Sequence, residues 1–152
     1  MSVRSRVAWL VDTLGINPNR LTQKAAFLDR LKVQKAAFLL HYLGKQPFAK
    51  YNFNLYVNGP YSSELASDYY KINQLSPVLV NLTSTEREKF DWYVHHDAVW
   101  LEVASTILLI SSQYPKSNRN EVHSILKMSK PWVSESYFNT IFDEIAKKDI
   151  FR

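Results

Sequence analysis

The chain has no cysteine, and only three of its 152 residues are glycine. The first absence excludes a disulfide framework, a thiolate nucleophile and any cysteine-based zinc site. The second leaves no glycine-rich phosphate loop, because Gly15, Gly44 and Gly59 stand far apart, each beside a turn signal. No stretch reaches the roughly 18 uncharged apolar residues of a membrane span. The longest apolar run, around Val103 to Ile110, has the length of a core helix. Met1 to Arg6 is basic, but Asp12, Gly15 and Asn17 break the apolar segment after it, which is too short for a signal peptide. No membrane association and a cytoplasmic location are expected.

What is present is a globular composition. Hydrophobic residues make up 46% of the chain and aromatics 14%, which argues against disorder. The length fits one domain with a real core, and no low-complexity linker divides it, so residues 1–152 are read as a single helical domain. The net charge of +5 is uneven. Residues 1–60 carry nine Lys/Arg against Asp12 and Asp29, a surplus of seven, so the remainder has an excess of two acids. Such a basic half suits an acidic protein partner or nucleic acid, and equally a solvated surface that binds nothing.

Val3, Val7, Leu10, Val11 and Leu14 recur at helical spacing, so Val3 to Leu14 forms a first helix that Gly15 ends. The hexapeptide Gln23-Lys-Ala-Ala-Phe-Leu28 returns unchanged as Gln34 to Leu39. Eleven residues are about three helical turns, so on one continuous helix the copies would share a face. Two copies are too few for a solenoid. A second helix is expected from near Asp29 to Leu43, stopped by Gly44; the place of Thr22 to Leu28 stays open. Arg30, Gln34 and His41 make a narrow polar stripe on it, and a helix apolar on most of its circumference is usually central.

Tyr51 to Val57 alternates apolar residues with asparagine, a short-strand signal, and Asn58-Gly-Pro-Tyr turns the chain. Ser62 or Ser63 caps a helix running to about Gln74, and a second short strand at Val78 to Val80 is possible. Thr83 to Glu86 fits a capping box that opens a helix through Tyr93. Further helices are expected at about Ala98 to Ser112, from Asn118 or Asn120 to Met128, and from Ser134 onward. The fold class is therefore mainly α, with a small two-stranded or winged-helix-like β element.

Catalytic or metal chemistry finds little footing. His95 and His96 point about 100° apart on a helix, and Glu121 and His123 also diverge, so neither pair reads as a metal site. His41 reads as a satisfied helix histidine. Gly59 to Ser62 precedes a helix start that can hold an anion, although a turn plus a cap explains it as well. No serine sits in a nucleophile motif, and most carboxylates lie at helix starts or on exposed faces. No enzyme activity, cofactor or metal is expected; a deep pocket with convergent, perturbed groups would reopen that question. Residues 119–148 have a helix-turn-helix outline in which Lys130, Ser134, Ser136 and Asn139 would face nucleic acid. Glu135 and the absence of Arg or Lys in the reading helix's first turns oppose phosphate contact.

Several of these segments together carry a resemblance. Arg30-Leu-Lys-Val-Gln-Lys, then an apolar helix and Gly44, then Tyr51-Asn-Phe-Asn-Leu-Tyr and Gly59-Pro-Tyr-Ser-Ser-Glu-Leu resemble the YwgA-like group of small bacterial and archaeal proteins. More distantly they resemble the Panacea domain of SocA/GepA-type antitoxins. Trp100 to Ile107 is similar to a later helix of the YwgA-like group, and the likeness covers roughly residues 3–112. The chain departs from the pattern at Asn58, where Tyr or Trp commonly precedes Gly-Pro, and at Val33, where Leu is usual. The resemblance implies a helical, non-enzymatic antitoxin or adaptor that binds another protein, such as a toxin or a protease-type assembly. On that reading Tyr56, Asn58, Gly59, Pro60 and Tyr61 form the contact surface with Gln34, the aromatics Tyr51, Phe53, Tyr69 and Tyr70 crowd around the same turn as anchors or core, and Arg30, Lys32 and Lys35 give it a charged rim. The alternative is a nucleic-acid-binding regulator.

Overall fold

The computed structural model describes residues 2–152. Seven α-helices and one two-stranded hairpin make up the regular structure of these residues, with three short 3₁₀ turns. The helices are α1 (Ser2–Thr13), α2 (Phe27–Tyr42), α3 (Ser63–Tyr69), α4 (Ser84–Val94), α5 (Ala98–Gln113), α6 (Arg119–Ser129) and α7 (Glu135–Lys147). Strands β1 (Asn54–Tyr56) and β2 (Gly59–Tyr61) pair antiparallel, with Leu55 opposite Pro60 and Tyr56 opposite Gly59. The fold is mainly α with a small β element, as expected.

Helix α2 is the spine. Every residue from Val33 to Leu40 is buried, and the helix packs on α1, α4, α5 and β2. Its end follows from sequence: Gly44 takes φ +74, its N–H donates to His41 O, and Lys45 N–H donates back to Leu40 O. That pair of bonds is a Schellman closure, which a residue without Cβ adopts at low cost. Helix α5 is the second interior element, buried from Val103 to Ile110, and α6 and α7 pack on it.

The caps follow the side chains that can make them. Thr83 and Glu86 form a reciprocal box at α4, and Asn118 and Glu121 do the same at α6. Asp97 caps α5 and Ser134 caps α7. Ser62, rather than Ser63, caps α3 by accepting from Leu65 N–H at 3.2 Å. Two expectations fail. Helix α3 stops at Tyr69 instead of reaching Gln74, and residues 76–83 have no strand. Val78 N–H donates to Ser5 O on α1, so this stretch is tied to a helix and has no partner strand. Among the described residues no helix is long and apolar enough to cross a membrane.

Candidate functional site

The sequence forces a tight approach at the hairpin. Gly59 has φ +91, and a Cβ there would meet Thr106 Oγ1 at 3.1 Å, Glu102 O at 3.2 Å and Lys35 Cε at 3.4 Å. Conformation and space both demand glycine. Strand β2 is thereby pressed against α5 and α2, and Pro60 is buried.

Three buried polar side chains then hold the backbone from 57 to 62. The Gln34 amide pairs twice with Ser62: Nε2 donates to Ser62 O and Oε1 accepts from Ser62 N–H, each at 2.9 Å. Lys35 Nζ donates to Pro60 O at 2.7 Å. Lys130, just past α6, donates from Nζ to Val57 O at 2.9 Å and to Glu102 Oε2 at 2.6 Å. Its side chain is 0% exposed and that of Glu102 14%. Buried polar groups this closely partnered fix a local geometry firmly, because losing a partner leaves a desolvated group unpaired.

The charges in this cluster do not balance. Lys35 and Lys130 face one carboxylate, Glu102, and Lys130 holds it directly. Burial lowers the Lys35 pKa from its ordinary 10.5 to about 7; Glu102 opposes that shift and Lys130 adds to it.

Above the cluster lies a cleft of about 430 Å³ between α2 and the hairpin. Leu31, Gln34, Lys35 and Gly59 line it, as do Asn58, Tyr61 and Tyr69. Burial raises the phenol pKa values of Tyr61 and Tyr69, keeping both protonated as hydroxyl donors. Phe27, Tyr56, Val57 and Tyr70 complete the lining and are all exposed, Val57 to 82%. Tyr56 stands edge-on to Tyr61 at 5.3 Å between centroids, and Tyr69 to Tyr70 at 4.9 Å. Arg30 also lines the cleft, with its guanidinium donating to the carbonyls of Leu21, Gln23 and Lys24. No Asp or Glu is among the lining residues.

Most of the expected contact residues therefore come together: Arg30, Gln34, Lys35, Tyr56, Asn58, Gly59 and Tyr61 share one cleft, while Pro60 is buried and does not line it. The charged rim is corrected. Lys35 is 2% exposed and belongs to the floor, since its position on α2 points it under β2. Lys32 lies elsewhere, in a crevice with Thr13, Leu14 and Phe90, three residues short of Lys35 on the same helix. Arg30 is a brace for the segment before α2. Sequence reading missed Phe27, Leu31 and Glu102; the last carried a usable signal, as a lone carboxylate inside the most apolar helix.

The other candidates resolve differently. Lys130 cannot face nucleic acid, because its amine is sealed under the hairpin. Ser134 and Ser136 are exposed and Asn139 half-buried; Ser134 serves as the α7 cap. Part of the basic surplus in residues 1–60 is also paired, Arg4 with Asp68, Arg20 with Asp29 and Lys45 with Glu86. His96 stacks on Trp100 at 3.5 Å, His123 stacks on Phe138, and His41 contacts Phe48 O through Nδ1. Among the described residues no group of three or more His, Asp or Glu is placed to hold a metal ion. With the geometry of the cleft established, comparison of the chain with protein-family models, curated proteins and solved structures gives no match.

Proposed function

We propose that the protein is a non-enzymatic interaction module, antitoxin- or adaptor-like, that docks a protein partner at the cleft between α2 and the β1–β2 hairpin. The observation that carries this reading is the exposed apolar rim. Phe27, Tyr56, Val57 and Tyr70 stand around a concave floor that is fixed by buried hydrogen bonds. Exposed aromatics beside a preformed hollow are favoured anchor positions, having area, few rotamers to freeze and, for tyrosine, a polar tip. The cleft also gathers most residues to which the Panacea-like resemblance assigns contact. The only titrating amine in it, Lys35, has no carboxylate or histidine lining the same hollow to serve as an acid–base partner, which favours binding over chemistry.

The test is capture from the native host with the intact chain and with a Tyr56→Ala/Tyr70→Ala variant. One stoichiometric protein retained by the first and lost from the second is the expected result. Recovery of the intact chain alone under gentle conditions overturns the reading.

A further inference from the structure

Two cations and no carboxylate line the cleft. In the cluster beneath it, Glu102 is already engaged by Lys130 at 2.6 Å, so its charge is taken up by one of the two buried amines. Lys35 Nζ makes one hydrogen bond, to Pro60 O at 2.7 Å, while an ammonium carries three N–H donors. Much of the rest of the hollow is Tyr56, Tyr61, Tyr69, Tyr70 and Leu31, with the Gln34 and Asn58 amides among them, which suits a flat or apolar body and offers phenol hydroxyls at its edge.

We propose that this cleft binds an organic carboxylate carried on an aromatic or apolar stem, with the acid group directed at the Lys35 amine and the stem against the tyrosines. The proposal rests on the cleft being the protein's binding face and adds the chemistry of what enters it. A singly charged acid is the group that completes the balance of Lys35, Lys130 and Glu102. A neutral apolar ligand would leave the amine as it is, and a cation would be repelled by Lys35, Lys130 and Arg30. A carboxylate beside an apolar group occurs both in free small acids and in peptide segments, and the shared feature is the acid.

Binding should therefore take up a proton. The charged groups acting on Lys35 are Glu102 on α5 and Lys130 beyond α6; Arg30 on α2 lines the same cleft, and Tyr56, Tyr61 and Tyr69 present phenols. Because the free amine has a pKa of about 7, a bound carboxylate that holds it protonated must pay for that protonation above neutral pH. Affinity should fall by about tenfold per pH unit on the alkaline side.

The experiment is titration of the full chain with phenylacetate, with phenylacetamide, and with two short peptides ending in phenylalanine, one as the free acid and one as the amide. Binding of acids in preference to amides, weakening above pH 7 and loss in Lys35→Met support the proposal. The arm that binds more tightly identifies a free acid or a peptide end as the source. Equal binding of acid and amide overturns it while leaving the docking face intact. Failure of both acids to bind at millimolar concentration also overturns it, whatever the capture experiment shows. Should Lys35→Met not fold, the comparison of acids with amides on the unmutated chain decides alone: equal binding refutes the proposal.

Discussion

The same six residues occur twice in this molecule and do opposite things. Gln34 to Leu39 lies wholly in α2 and wholly in the core. In Gln23 to Leu28, the first residue is a bend, the next three form a 3₁₀ turn, and only Phe27 and Leu28 are in α2; all but Ala26 are exposed. Local preference is identical by construction, so the difference is made by surroundings. The second copy lies between α5, α4 and β2, while the first has the Arg20–Leu21 turn and the Arg30 guanidinium on its carbonyls. The place of Thr22 to Leu28, which the sequence left open, is decided the same way: only Phe27 and Leu28 join α2. Helical propensity is a weak prior that packing overrides.

Paired substitutions can break or sharpen this contrast. The largest gap should separate the phenylalanines. Phe38 is 1% exposed and stands edge-on to Phe53, so Phe38→Ala should cost about 3–5 kcal/mol in urea unfolding. Phe27→Ala, at a residue 48% exposed, should stay within about 0.5 kcal/mol yet weaken partner capture. Equal destabilisation by the two would place the first copy in the core as well.

The glutamines come next. Gln34→Ala leaves the Ser62 N–H without a partner inside the protein, at about 1–3 kcal/mol, while Ser62 O keeps the Ala66 N–H. Gln23→Ala removes an exposed side chain and should be near neutral by the same denaturation.

At neutral pH the smallest gap should be between the lysines, and it widens with pH. Lys35 is depressed to about 7 in the folded chain and returns to about 10.5 on unfolding. Between those values the unfolded state binds more protons, so this residue makes stability rise as pH increases from 7 toward 10.5. Lys35→Met should flatten that part of the stability profile, followed by thermal or urea unfolding in a pH series. Lys24→Met, at an exposed position, should leave the profile of the intact chain in place.

Particular elements show where sequence reading succeeds. The α4 start was legible because a capping box is written within four residues, and the end of α2 because only a glycine closes a Schellman turn cheaply; at α6 the sequence left Asn118 and Asn120 open, and Asn118 is the cap. Much of the cleft was legible through the hairpin motif and the polar stripe on α2. Lys35 and Lys130 were not: a lysine reads as solvated unless its long-range partner is known, and Glu102 is 67 residues from the first and 28 from the second. Val78 to Val80 misled because β-branched residues favour a strand only where another strand is there to pair with.

By itself the sequence determined the mainly helical class, the caps, the glycine turns and the apolar character of α2 and α5, all of which are local or periodic properties. Only the tertiary structure decided which copy of the repeat is interior, which lysines are buried, and that two amines share one carboxylate beneath an aromatic cleft. Burial and charge balance arise between distant segments, and no window along the chain contains them.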